Sequence, residues 1–386
     1  MSSPPERLDR RPIPPNGVVI EDWPDAEPSG EDWVMDTQTL REWLEGRTAR
    51  HEFSGVALVW REGAPMFTYS GGLAHRGHGV PNTERTRFAV ASVTKLVTAT
   101  AALRLVERGL LALDQPLVEV LPPEHQPMAL TREHTLHHLL SHTSGLANYH
   151  DDEAKDWGSF TSNWNRIPTY NLRRPADMLP LFADLPAVFP PGSRFQYNDA
   201  AFILAGLVIE AVTDRTFADV VTDEVLEPAG MVDTGLENLD HEPVRMATGY
   251  IVDDGPPESW RANHFSVPTG VMPDGGLITT AQDLARLIDA LLGGALLSTP
   301  MATAMMTPQG PPSDAVEQYG YGCWLVVENG EVTIIGHGGS DPGVSSLVTQ
   351  HRRVGTTIVV LCNYDRGSWA VTKHIEEALD LADPRP

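Results

Sequence analysis

FAVASVTKLVTATAALRLVERG, Phe88 to Gly109, is the stretch whose reading decides the fold. From Val93 to Leu103 small and apolar residues run almost all round, which predicts a helix buried inside the protein rather than one lying on its surface. Arg104, Glu107 and Arg108 make its tail amphipathic, and Gly109 stands where a left-handed C-cap is expected. Ser92 and Lys95, three apart, share one face. A lysine inside such a helix is expensive, because desolvation disfavours the strongly hydrated ammonium and pushes the group toward the neutral amine. Ser92 and Lys95 therefore read as a nucleophile beside a base.

The choice of cation supports that reading. Of 28 Lys plus Arg only three are lysines, Lys95, Lys155 and Lys373, so the chain elsewhere uses arginine when it needs positive charge. Arginine cannot be deprotonated and could not fill a base position. Taken alone the motif decides nothing, since Ser-x-x-Lys arises by chance about once per chain of this size.

At 386 residues the chain can bury a large core. A formal net charge of −24 argues against nucleic-acid or anionic-membrane partners and discourages anionic substrates. Cys323 and Cys362, both in apolar strand-like surroundings, are expected as reduced, buried thiols. The first residues carry arginines but no apolar run of the kind a secretory signal needs, and no stretch reaches the length of a membrane span. A soluble, cytoplasmic protein is the expectation, with its oligomeric state open.

Outward from the central helix, residues 1–30 are rich in Pro, Asp and Glu without periodicity, which predicts an extended or disordered arm. Asp36 to Arg47 has helical spacing through Leu40, Trp43 and Leu44. Ser54 to Ala74 reads as two strands around a Glu62-Gly63 turn. Thr135 to Leu140, Ala200 to Val212 and Phe217 to Glu227 are helical. Ala147 to Pro191, with Trp157 and Trp164, is long and irregular, the mark of a wall or lid over a site. After a helix from Thr279 to Leu292 come four strand-like runs and a closing helix from Trp369 to Ala382. Two strands early, several late and helices between predict an α+β fold. It would be an antiparallel sheet flanked by N- and C-terminal helices, formed by 31–90 and 279–386, with an inserted all-helical domain at 91–278.

Other constellations bear on chemistry. Tyr197, in PGSRFQYNDAAF just before a helix, is placed to shuttle protons beside a lysine, or else is a half-buried aromatic. Asn198 or Asp199 serves as the N-cap of that helix. GHGGSDPG, Gly336 to Gly343, lies between two strands. Its glycines either let an edge strand approach a substrate and offer N–H groups to an oxyanion, or form a flexible turn with a solvated His337. His134, His137, His138 and His142 have metal-like spacings but no His-Glu-x-x-His pattern and no third ligand, so no metal is expected. No phosphate loop, dinucleotide fingerprint or Gly-x-Ser-x-Gly elbow is present, and no cofactor is expected.

In their order, FAVASVTK, HHLLSHTSGL, FQYNDAAFILAGLVIEAVT, LEPAGMVDT, GGLITTAQDLARL, YGYGCW and GHGGSDPG resemble the serine β-lactamase and penicillin-binding-protein superfamily. The likeness is to the branch holding class C β-lactamases, DD-peptidases and β-lactamase-like esterases, and runs from about Phe53 to the C-terminal helix. The resemblance implies that Ser92 is acylated, that Lys95 takes its proton and that Tyr197 relays a proton to the leaving group. His337, Gly338 and Gly339 match the family's Lys-Thr-Gly strand, and the N–H groups of Ser92 and Ser340 would form the oxyanion hole.

Two departures bear on the substrate. Asp199 replaces the amide of the Tyr-x-Asn motif, removing a donor and offering a carboxylate that would pair with Lys95, raise its pKa and oppose its role as base. His337 replaces a lysine, removing a permanent cation for a substrate carboxylate. Both favour a small-molecule ester, hydrolysed through an acyl-enzyme on Ser92. An acyltransferase, an amidase, a D-peptidase or a β-lactamase would use the same chemistry, and a silent scaffold of the same fold is the rival from another class.

Overall fold

The structure, a computed structural model, describes residues 36–150, 161–253 and 255–381. The arm expected over 1–30, together with Lys155 and Trp157, lies outside the described residues.

Helix α1, Thr37–Ala49, begins where Asp36 accepts the N–H groups of Gln38 and Thr39. Strands β1, Gly55–Arg61, and β2, Ala64–Gly71, form the expected hairpin. Glu62 and Gly63 both have positive φ (52° and 75°), which lets a two-residue turn follow the twist of the strands. The late strands are β3, Glu317–Tyr319; β4, Trp324–Glu328; β5, Glu331–Asp341; β6, Val344–His351; and β7, Thr356–Cys362. The sheet order is β3-β4-β5-β6-β7-β1-β2 with antiparallel neighbours, and the β7–β1 pairing from Gly55↔Cys362 to Arg61↔Thr356 joins the two ends of the chain.

Alternation along β1 explains why it reads as a continuous apolar run. Ala57 and Val59 face a cluster with Leu40 and Leu44 of α1 and with Val371 and Ile375 of the closing helix, Ser368–Ala378. Val56 and Leu58 face the larger core, which holds the central helix α2, Thr94–Glu107. With both faces covered, no polar alternation is needed. Two further helices matter to the site: α3, Leu136–Leu140, and α4, Asp199–Thr213. Cys323 and Cys362 are buried free thiols, and no described helix is long and apolar enough to cross a membrane.

Of the two readings of GHGGSDPG, strand or flexible turn, the structure shows the strand. Gly336 to Asp341 belong to β5 itself, and the turn is confined to Pro342-Gly343. Nor is β5 the edge of the sheet, since β4 pairs with it from Glu328↔Glu331 to Trp324↔Gly336. The β4 ladder ends there, so His337 to Asp341 form a local edge within an interior strand. Glycines that mimic a turn in sequence here permit close approach by another backbone.

Candidate active site

Ser92 does not start the α-helix proper but sits in a 3₁₀ turn, Ala91–Val93, that leads into α2. Ala91 has φ 46°, a left-handed conformation that costs a non-glycine residue roughly 1–3 kcal/mol. The surroundings hold it there. Thr94 Oγ1 donates to the Ala91 carbonyl at 2.7 Å and accepts Leu277 N–H at 3.0 Å. Ser346 Oγ donates to the Val90 carbonyl at 2.7 Å. Strand β5 presses on the same turn: a Cβ on Gly339 would stand 2.0 Å from the Val90 oxygen. Gly339→Ala is therefore expected to displace β5 from the serine turn, lowering stability by about 1–3 kcal/mol and slowing acylation as well; a melting curve and a single-turnover assay check both.

Lys95 is fully buried. Leu96, Val97, Leu103 and Leu105 are buried with it, each contributing about 1.5–3 kcal/mol, which together offsets the several kcal/mol that desolvating an ion costs. The ammonium's three hydrogens are all committed. It donates to Ser92 Oγ at 2.9 Å, to the Asp274 carbonyl at 2.9 Å and to Asp199 Oδ1. Burial works to lower the lysine pKa, but the Asp199 and Asp274 carboxylates outweigh it and the pKa rises above its ordinary value. Burial alone thus does not deliver a neutral amine. The pairing expected from Asp199 is present, and the resting lysine is a cation.

Asp199 is free to do this because Asn198 takes the cap, accepting Ala201 N–H at 3.0 Å. The other Asp199 oxygen meets His150 Nε2 at 2.7 Å. Burial would raise the Asp199 pKa, yet Lys95 and His150 hold it well below the usual carboxylate range. Two more carboxylates stand close. Asp274 Oδ2 accepts the Tyr149 hydroxyl at 2.6 Å, and burial and the Asp199 charge push Asp274 up. Asp341 Oδ2 and the Ala91 backbone both lie 3.9 Å from the point where a Cβ on Gly275 would stand. Burial, with Asp274 and Asp199 nearby, pushes Asp341 to about 8.

Tyr197 joins this group, its ring 5.0 Å from Lys95 Nζ. His337 is buried, not solvated. Its Nδ1–H donates to the Gly338 carbonyl at 2.6 Å, which leaves Nε2 to accept the Tyr319 hydroxyl at 3.0 Å. Burial and then the Lys95 charge push it to about 3, so it is neutral and already engaged on both nitrogens. Gly338, Gly339 and Ser340 continue along the same strand.

The four histidines of the 134–142 stretch are each tied to local structure. Thr131 N–H donates to His134 Nδ1 at 3.1 Å, and Thr135 N–H to His138 Nδ1 at 3.2 Å. His137 Nδ1 meets the Tyr321 hydroxyl at 2.8 Å. His142 Nδ1 accepts Asn198 N–H at 3.0 Å, fixing the start of α4 beside Tyr197.

The structure brings together Ser92, Lys95, Tyr197, Asp199 and the His337 strand. Beside them stand His150, Asp274, Asp341, Tyr149 and Tyr319, to which no sequence motif points. Asp274 lies in a Pro-Asp-Gly-Gly run that reads only as a turn, and His150 follows Tyr149 in the irregular stretch with no spacing signal at all.

A family model described as Beta-lactamase matches residues 40–383. Penicillin-binding protein 4* of Bacillus subtilis (strain 168) is 27% identical over 88% of this chain and 75% of its own length. Esterase EstB of Burkholderia gladioli is 36% identical over 67% of this chain and 69% of its own. Among solved structures, the penicillin binding protein from Bacillus halodurans superposes with a TM-score of 0.80 at 39% identity, covering 86% of this chain and 99% of that one.

Proposed function

The chain belongs to the beta-lactamase family, and from that premise we propose that it hydrolyses a carboxylic ester through an acyl-enzyme on Ser92. The observation that carries the reading is the 2.9 Å hydrogen bond between Lys95 Nζ and Ser92 Oγ at the end of a buried helix. The site's charges favour an ester over a β-lactam or a peptide carboxylate. Where a family member would present a lysine, His337 is neutral and bonded on both sides, and Asp199 and Asp274 occupy the one ammonium of the site. An anionic substrate would find no partner among these groups.

In the proposed reaction Ser92 Oγ attacks the ester carbonyl while Lys95, having shed a proton, accepts that of the serine. The N–H groups of Ser92 and Ser340 receive the oxyanion. Tyr197 gives a proton to the departing alkoxide and then takes one from the water that attacks the acyl group, while Lys95 returns its proton to Ser92 Oγ as the acid is released.

The Asp199 pairing makes this testable by pH. Lys95 acts as base only when deprotonated, and its pKa is raised, so turnover in the wild type is expected to climb on the alkaline side. Asp199→Asn removes a charge that holds the proton on Lys95 and leaves burial, which lowers the pKa, less opposed. The rising limb of kcat/KM is then expected at lower pH, with higher turnover near neutrality. A limb that stays in place or moves to higher pH contradicts Lys95 as the base.

Substrate class is tested with p-nitrophenyl acyl esters, nitrocefin and a D-Ala-D-Ala peptide on the purified protein. Ester turnover is expected to dominate; nitrocefin turnover far above it reverses the order.

A further inference from the structure

Beside the reacting groups lies an aromatic surface that the proposed steps leave unused. Phe195 precedes Tyr197 by two residues, and Trp324 opens β4 opposite Gly336, next to His337. Phe195 and Trp324 have ring centroids 5.7 Å apart. Tyr197 and Trp324 are parallel within 6° at 6.1 Å, and Tyr319 stands nearly perpendicular to both, 4.9 Å from Trp324 and 6.2 Å from Tyr197.

Burial sorts these rings into two layers. Tyr319 is 3% exposed with its hydroxyl committed to His337, so it supports the others from behind. Phe195 is 37% exposed, and Trp324 and Tyr197 are half-buried, so their outer surfaces meet solvent. A flat group sandwiched between two rings needs about 7 Å, twice the ~3.5 Å carbon contact distance. The 6.1 Å between Tyr197 and Trp324 is too narrow, so a substrate group lies over the rings and not between them.

The basic groups around the surface are either neutral or engaged by other side chains. His142 and His337 are held neutral by burial. Lys95, below the Tyr197 ring, is paired with Asp199. Arg194 stacks on Phe189 at 4.4 Å and donates to Gln196 at 3.2 Å.

On the reading that Tyr197 protonates the departing oxygen, the surface adjoining Tyr197 receives the alcohol part of the ester. We infer that Trp324 and Phe195 select an uncharged, ring-bearing leaving alcohol, which packs its face on theirs; this inference rests on the ester-hydrolase reading. Aromatic contact adds to the stabilisation from area burial alone, and an apolar contact of this kind changes selectivity by about tenfold or more.

The test is the ratio of kcat/KM for benzyl acetate over methyl acetate, two esters with the same acyl group and primary alcohols. The wild type is expected to favour the benzyl ester by about tenfold or more. Trp324→Ala is expected to remove most of that preference, Phe195→Ala part of it, and Trp324→Phe to retain most of it. Phe195, being exposed, supplies a variant that tests the surface should Trp324→Ala fold poorly. A wild-type ratio near one, equal losses on both esters, or a change that follows the acyl group in a methyl acetate and methyl phenylacetate pair overturns the inference while ester hydrolysis stands. Absence of any ester turnover, with Ser92 unlabelled by a fluorophosphonate probe, defeats the ester reading and the inference together.

Discussion

Ser92→Ala is expected to lower ester kcat/KM by about 10⁴-fold or more, because removing the nucleophile leaves only binding and whatever the amide cradle gives to direct attack by water. The fold should survive the change. Ser92 is only partly buried, its turn is pinned through Ala91, Val90 and Thr94, and the hydroxyl's partner Lys95 keeps Asp199 and the Asp274 carbonyl. A melting temperature close to wild type beside a collapsed rate separates chemistry from stability. Turnover within tenfold of wild type would falsify the role given to Ser92.

Lys95→Arg is expected to fail nearly as badly, by about 10³-fold or more. The guanidinium keeps the positive charge but cannot be deprotonated, so it cannot take the serine proton. Shape adds to the loss. Three acceptors, Ser92 Oγ, Asp199 Oδ1 and the Asp274 carbonyl, converge on one compact ammonium in a fully buried position, and a planar fork cannot replace it. Lys95→Met of similar volume should lose activity too, but with Asp199 left facing only His150. Normal turnover in Lys95→Arg removes lysine from the base role and transfers it to another group.

Much of this was legible in the chain because burial leaves a periodic trace. The small and apolar run after Ser92 predicts α2, the Glu62-Gly63 pair predicts the first hairpin, and strands buried on both faces appear as unbroken apolar runs. The site was harder where one residue type serves two ends. The sequence leaves the cap to Asn198 or Asp199 and allows Asp199 to pair with Lys95; only the fold shows that Asn198 takes the cap and releases the carboxylate to Lys95. Glycines at 336, 338 and 339 read as either strand or turn, and in the structure they keep their place in β5 and let it meet the Val90 carbonyl. His150 leaves no local signal because its meaning lies in a contact with Asp199, 49 positions away. Sequence spacing reports what a segment does for its own element; it is silent on side chains that act only across the fold.

An acyl-enzyme on Ser92 is tested most directly by intact-mass spectrometry of the protein quenched during turnover of a slow ester, followed by mapping of the adduct. A mass increase equal to the acyl group less one hydrogen is expected, carried by the peptide containing Ser92 and absent from Ser92→Ala. An enzyme that turns over the ester at full rate without an adduct, or that carries the acyl group on another residue, contradicts it.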